Sequence, residues 1–422
     1  MTTGGFCGVD FGTSNSTAGI MAAGAARMCR LEGEHATLPS AIFFDYEARA
    51  TRFGRDAVDA YVDGRPGRLL RALKSVLGSS LMRETTVVNG RRIAFREIIG
   101  LFVARLKAKV EAEAGGPVDS VVLGRPVRFV DGDDAADRQA EAELVAVAHA
   151  AGFRHVAMQF EPVAAALDYE RRLDREELAF IVDLGGGTSD FAVVRLSPAR
   201  ARAADRAADI LATSGVHIGG TDFDHRLSID AVMPKLGYDA AIGEKRLPLP
   251  RHLFHDLATW HRIQHVYTDD NLRYLARARR AADDPASLAR LIDVLEHQAG
   301  HRIAGLVEAA KIALSGEDAA AFALPAEPPA AVTMTRAGLD AALAADAGRI
   351  AEAALACCAR AGVEPGRIGS VFLTGGSTAI PCVRARILDL FPTAGVVSGD
   401  LFGSVGVGLA LDAARKFDHA PA

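Results

Sequence analysis

The run FIVDLGGGTSDFAVV, Phe180 to Val194, decides how this chain is read. An apolar stretch leads into Asp183, the glycines Gly185, Gly186 and Gly187 follow, and the chain turns strand-like again past Asp190. Glycine accepts positive φ and lets other groups come close to the backbone. One reading is a bulge-prone hairpin with no ligand. The other is a turn whose successive N–H groups point into one concavity and hold an anion.

A second copy of the motif separates these readings. GVDFGTSNSTAGI, Gly8 to Ile20, aligns Asp10 with Asp183 and Gly12 with Gly185, an offset of 173 residues. A period that long points to two similar lobes rather than a solenoid. Each copy reads strand, aspartate, Gly/Ser/Thr turn, strand. Two such turns point to phosphate: bare backbone lies against a phosphate chain, and the aspartates hold its cation.

Bulk properties set the frame. The 422 residues are 50% hydrophobic, enough for two lobes with their own cores. The formal charge of −5 gives no sign of a surface for nucleic acid or an anionic membrane. Lysine is scarce, seven in all, so each position is informative. No apolar run reaches the roughly 18 residues of a membrane span, and MTTGGFCGVDFG lacks the charged and apolar segments of a secretory signal. Cys7, Cys29, Cys357, Cys358 and Cys382 show no C-x-x-C spacing and read as reduced thiols of a cytoplasmic protein.

Other phosphate motifs are missing. There is no G-x-x-x-x-G-K-[ST] run. GSVGVGLALDAA, residues 403–414, lacks dinucleotide-loop spacing and reads as a small-residue helix in close packing. Between the glycine turns, VDSVVLGRPVRF is a strand ending at Gly124–Pro126, and DRQAEAELVAVAHAAGF is a helix. In VAMQFEPVAAALDY a short strand precedes an alanine-rich helix opened by Glu161–Pro162. Residues from about 225 to 315 read as a helical insertion. Leu253, Leu257, Trp260, Ile263 and Val266 form one stripe; Leu288, Leu291, Leu295, Ile303, Leu306, Ala310 and Leu314 form another. His261/His265 and His297/His301 have i, i+4 spacing but no intervening Glu, and read as aromatic-rich helix surface rather than metal ligands. Finally, IGSVFLTGGSTAIPCVRARI is a strand entering Gly375–Gly376, then a helix from near Ile380.

In this order the segments resemble the ATPase domain of the seventy-kilodalton heat-shock chaperones (DnaK-type), within the actin and sugar-kinase superfamily. GVDFGTSNS resembles the family's first phosphate loop, VDLGGGTSD its second, and EPVAAALDY its connecting helix. HIGGTDFDHRL is similar to the segment after the second loop, LVEAAKIALS to the adenosine helix, and LTGGSTAIP to the adenosine loop. DLATWHRIQHVY and the short C-terminus look closest to the YegD-like branch.

The resemblance implies an α/β, actin-like ATPase fold: two lobes of duplicated mixed-sheet subdomains around a nucleotide cleft, with a helical insertion in the second lobe. Lobe I is expected over 1–167, completed by a C-terminal helix at 400–418. Lobe II is expected over 168–399, with its helical subdomain at about 225–315 and its adenosine loop at 371–381. No C-terminal peptide-binding domain is expected.

It also implies ATP/ADP and Mg²⁺, with K⁺ as a further ion. Asp10 and Asp183 would hold Mg²⁺ through water; Asp190 is either a third cation-site carboxylate or a turn cap. Phosphates would lie on Gly12, Thr13, Ser14 and Asn15 and on Gly185, Gly186, Gly187 and Thr188, with Gly219 and Gly220 beside them. Lys74 would meet the γ-phosphate, and Glu161 would position the attacking water or a metal-bound water; with Thr188 and Asp183 these form the catalytic set. Glu308, Lys311 and Ser315 would bind the nucleoside, with Gly375, Gly376 and Ser377 under the base. Ile312 and Ala379 stand where the family has arginines that sandwich adenine, which implies weaker nucleotide binding and looser base preference.

The leading reading is a slow, chaperone-like ATPase driven by lobe closure. Its partners would be nucleotide, and unfolded protein or a co-chaperone in trans. A scaffold, filament or pseudo-ATPase module and a small-molecule kinase on the same fold are the alternatives. A kinase needs an acceptor site with a general base, which the sequence does not display.

Overall fold

The computed structural model describes residues 5–417 apart from 89, 131–132, 172, 201–202, 204–205, 261 and 398–402. His261, and residues 400–402 and 418 of the expected terminal helix, lie outside the described residues. Two compact units emerge: residues 1–216, 352–378 and 388–422 form one, and 217–351 with 379–387 form the other.

Both large sheets belong to the first unit, and they repeat one topology. The first is built on β1 (Gly5–Asp10), β2 (Asn15–Ala22), β3 (Ala25–Met28), β4 (Val118–Arg125) and β5 (His155–Phe160), in the order β5-β4-β1-β2-β3. The short strand Thr37–Pro39 also pairs with β2. The second sheet uses β6 (Glu177–Leu184), β7 (Ser189–Leu196), β8 (Ile210–Val216), β9 (Ser370–Thr374) and β10 (Gly395–Val397), in the order β8-β7-β6-β9-β10. In each sheet the aspartate-bearing strand pairs antiparallel with the strand after its turn, β1 with β2 and β6 with β7. On its other side it has a parallel neighbour, β4 or β9. The duplication seen in sequence is thus a duplication of sheet topology.

The apolar run before Asp183 has no alternation because β6 is covered on both faces, as central strands of mixed α/β sheets are. Phe180, Ile181 and Val182 are all buried. Phe180 packs against Phe391 at 4.5 Å and stacks on Phe191 at 5.9 Å. Helix α1 (Phe95–Ala114) buries Ile98, Ile99, Phe102 and Leu106, and its Phe102 ring meets Phe11 beside the first glycine turn at 5.7 Å. Helix α2 (Asp134–Ala150) starts on Asp133, whose carboxylate accepts from the N–H groups of Ala135 and Ala136. Helix α3 (Glu161–Glu170) opens at Glu161–Pro162, the expected N-terminal grammar.

The small-residue stretch near the end is the closely packed helix its composition implies. It forms α4 (Ser404–Phe417). A Cβ at Gly408 would fall 1.8 Å from the Ala164 carbonyl oxygen, and one at Gly8 would fall 2.3 Å from the Leu409 backbone. Glycine alone permits this contact of α4 with α3 and β1.

The second unit is helical over much of its length, but the second apolar stripe is not one helix. It breaks at residues 297–299 into Pro285–Glu296 and Gly300–Ala313. His297 therefore caps one helix while His301 lies buried in the next, its Nε2 3.1 Å from the Trp260 carbonyl. A Cβ on Gly300 would lie 2.7 Å from both Ile263 and Tyr267 side chains, which accounts for the glycine at this corner. All five cysteines are free, and burial pushes their thiols above the usual range. Among the described residues no helix is long and apolar enough to cross a membrane.

One buried ion network anchors the far end of α3. Glu170, fully buried, accepts from both Nη atoms of Arg206 at 2.7 and 2.8 Å and from the Ser197 N–H at 2.9 Å. Asp209 accepts from Arg206 Nε and, at 2.7 Å, from Arg200 Nε. Arg206→Ala leaves two buried carboxylates without that partner. A loss of about 3–5 kcal/mol in urea unfolding is expected; a midpoint equal to wild type would show that the network is not structural.

Candidate phosphate and cation site

Each glycine turn bends sharply because a strand must reverse around its own backbone. A Cβ on Gly12 would sit 2.1 Å from the Asn15 carbonyl oxygen. In the second turn the Gly185 N–H donates to the Thr188 carbonyl at 2.9 Å. The two turns meet: a Cβ on Gly186 would lie 2.0 Å from Ser14 Oγ, whereas one on Gly187 would meet nothing within 4 Å. One glycine serves contact between the loops, and the next leaves space beside them.

Asp10 ends β1, Asp183 lies near the end of β6, and Glu161 opens α3, where the helix dipole favours a carboxylate. Lys74 sits on a short 3₁₀ turn, Leu73–Val76, entered through Ala72 at a left-handed φ of 54°. Its Nζ is 2.6 Å from Glu161 Oε1, and both side chains are largely buried, 10% and 12% exposed. The sequence named both residues; their direct pairing is a finding of the structure.

Charge is unbalanced around this pair. Burial first, then the Glu161 carboxylate, push Asp10 up to about 7, with Lys74 opposing and Asp183 adding to the rise. Asp183 is also pushed up to about 7, by burial, Glu161 and Asp190, against Lys74 and a hydrogen bond from Thr374. Burial works against the Lys74 ammonium, yet Glu161, Asp10 and Asp183 together hold it above its ordinary value. Asp10 Oδ1 is buried without a hydrogen-bond partner. Three carboxylates thus share one ammonium, and one carboxylate oxygen is unsatisfied.

These features fit a hydrated divalent cation. An orphaned anionic oxygen, an excess of negative charge and an open glycine-lined space are what such an ion with phosphate would fill. Among the described residues, no three or more His, Cys, Asp or Glu side chains form a direct metal cluster.

The remaining sequence-predicted residues fall as follows. Thr188 donates its hydroxyl to Asp190 at 2.8 Å, so Asp190 orients the loop threonine as a turn cap does. Asp190 is also the cross-strand neighbour of Asp183, close enough for its charge to be felt there. Thr13 and Asn15 are half-buried in the first turn. Gly375, Gly376 and Ser377 belong to the same unit, and Ser377 Oγ donates to the Gly185 carbonyl at 3.3 Å.

Gly219, Gly220, Glu308, Lys311 and Ser315 belong to the second unit. There Gly219 caps the helix Gly220–Leu227, its N–H donating to Asp222 at 2.8 Å. The Lys311 ammonium is held by Asp224 at 2.8 Å and by the Gly220 carbonyl at 3.1 Å. Glu308 and Ser315 are half-buried, while Ile312 is 63% exposed.

Sequence reading missed Ser40. Buried, it donates its hydroxyl to the Gly12 carbonyl at 2.6 Å and its N–H to the Ser14 carbonyl at 2.9 Å, fixing the first loop from behind. No motif surrounds Ser40; only its position after Thr37–Pro39, paired to β2, brings it there.

The family model described as "Hsp70 protein" matches residues 73–242 and 287–414. These segments contain Lys74, Glu161, the second glycine loop and the Gly375 turn. The mixed α/β architecture with its repeated sheet is the actin-like ATPase fold of that family.

The raised carboxyls carry a pH signature. Unfolded aspartates titrate near 4, so between about 4 and 7 the native protein binds more protons than the unfolded chain. Stability from these groups is therefore greatest at the acid end and falls as pH rises through that window. Thermal melts without ligand should show this slope reduced in Asp10→Asn, and Mg²⁺ should raise the melting temperature more at pH 8 than at pH 5.5. An identical Mg²⁺ effect at both values would contradict the charge assignment.

Proposed function

Because the chain belongs to the Hsp70 family, whose members carry a nucleotide-binding, chaperone-type ATPase domain, we propose that it binds Mg-ATP and hydrolyses it slowly, with closure of two lobes as its output. The observation that carries the reading is the convergence of both aspartate-led glycine turns with Lys74 and Glu161 in one unit.

In this reading the N–H groups of Gly12–Asn15 and Gly185–Thr188 hold phosphate oxygens, as backbone nests do. Asp10 and Asp183 hold hydrated Mg²⁺, with Asp190 steering Thr188. When bound, the ion neutralises the charge that builds on the phosphate oxygens. Lys74 exchanges Glu161 for the γ-phosphate and stabilises the charge spreading over it; Glu161 then orients the attacking water. Little covalent work falls to the protein in such a transfer, so placement and charge compensation supply the rate.

Glu308, Lys311 and Ser315 take the nucleoside, Gly375, Gly376 and Ser377 the base, and Gly219 and Gly220 lie beside the phosphates. The lobe boundaries at 167/168 and 399/400, the YegD-like placement and a cytoplasmic location belong to the same proposal. So do K⁺ as a second ion and unfolded polypeptide or a co-chaperone as partner in trans. Ile312, apolar and exposed, supports loose base preference.

The test is ATP turnover by purified protein in Mg²⁺. Lys74→Ala and Asp10→Ala should each lower the rate roughly hundredfold, the usual scale for a lost transition-state contact. Equal rates in wild type and both variants would remove the ATPase assignment.

A further inference from the structure

One serine holds two peptide planes of the first glycine turn. Ser40 lies between the short strand Thr37–Pro39, paired with β2, and the fully buried strand Ala41–Asp45. Arg55 grips the first of these strands, its Nη1 donating to the Thr37 carbonyl at 2.7 Å and its Nη2 to Thr37 Oγ1 at 2.9 Å. From this fixed place the Ser40 hydroxyl donates to the Gly12 carbonyl at 2.6 Å, and the Ser40 N–H to the Ser14 carbonyl at 2.9 Å. A serine hydroxyl has a single proton, and that of Ser40 is spent on Gly12. Ser16 therefore donates its own hydroxyl to Ser40 Oγ, 2.9 Å away. Both serines are buried, and in such surroundings the members of a hydrogen-bond chain strengthen one another.

A peptide unit is planar and trans, so its C=O and the next N–H point in opposite directions. With the Gly12 and Ser14 carbonyls both drawn to Ser40, the N–H groups of Thr13 and Asn15 point away from it. The Thr13 N–H donates to no group among the described residues. We propose that Ser40 is a positioning residue: its grip on these two carbonyls aims the Thr13 and Asn15 N–H groups at phosphate oxygens, and Ser16 keeps the Ser40 proton on Gly12. The proposal rests on the reading of the first turn as a phosphate loop. A serine with a structural role alone would stiffen the strand junction, and its loss would lower stability without changing ligand affinity.

Calorimetric titration of ADP into the full chain in Mg²⁺, beside thermal melts of the same proteins without ligand, separates the two roles. Ser40→Ala releases the Gly12–Thr13 peptide and should weaken ADP binding about tenfold, the upper scale of one hydrogen bond. Ser16→Ala removes a hydroxyl that is as deeply buried but leaves Ser40 on Gly12. It should lower the melting temperature about as much, yet change ADP affinity less than about threefold. Ser40→Cys, close in volume but with a weak S–H donor, should lose affinity in the same direction, and it decides the matter if the alanine variant does not fold. Wild-type ADP affinity in the Ser40 variants, or equal losses in Ser40→Ala and Ser16→Ala, would overturn the positioning role. Wild-type protein that binds no ADP would instead overturn the nucleotide reading, and this proposal with it.

Discussion

An excess of negative charge, partly withdrawn from water, is the constraint around which the first unit is built. Asp10, Asp183 and Glu161 face a single ammonium, that of Lys74. If all four groups ionise, the site is short of two positive charges. An empty protein meets the shortfall with protons, which is why burial and mutual repulsion lift the two aspartates toward neutrality. A dication meets the same shortfall without protons. Retaining such an arrangement lowers the stability of the empty fold, and protein structures keep costs of this kind at functional sites.

Holding carboxylates together against their repulsion requires stiff supports, and the fold supplies them twice. Each aspartate stands at or near the end of a central strand flanked by a parallel and an antiparallel neighbour. Each following glycine turn is tied from behind by hydroxyl side chains from a remote segment, Ser40 for the first and Ser377 for the second. Glu161 is fixed from the opposite end of its helix, where Glu170 is locked onto Arg206. The close glycine contacts of α4 with β1 and α3 press the strand of Asp10 and the helix of Glu161 against one element.

How much of this is legible in the sequence follows from how local each signal is. The aspartate–glycine turns spell themselves out, because strand, carboxylate and flexible turn are contiguous, and their repetition marks the duplicated sheets. Glu161–Pro162 is equally local. Lys74 was reachable through resemblance, but its 2.6 Å pairing with Glu161 spans 87 residues and leaves no local trace. Ser40 and Ser16 are illegible for the same reason: one hydroxyl acting across a sheet looks like any strand serine. The break at 297–299 was hidden because apolar spacing continues through His297–Ala299, while Gly300 reveals its purpose only in contact with Ile263 and Tyr267.

The Lys74–Glu161 pair has a further consequence for the order of events. While the two are joined at 2.6 Å, the ammonium is directed at a carboxylate, and the carboxylate has a charged partner in place of a water. Neither can perform the task proposed for it in that arrangement. In the proposed reaction phosphate would replace Glu161 as the partner of Lys74, and only then would Glu161 be free to take a water. A buried charge separated from its partner is costly unless a new partner is ready, so the proposed exchange would proceed only when phosphate and cation are both in place. A site working in this proposed way would resist idle reaction in the absence of the full ligand, and its rate would be limited by how well the loops present the phosphate chain rather than by the reactivity of any one side chain. That is the behaviour expected of a nucleotide switch more than of a high-turnover enzyme.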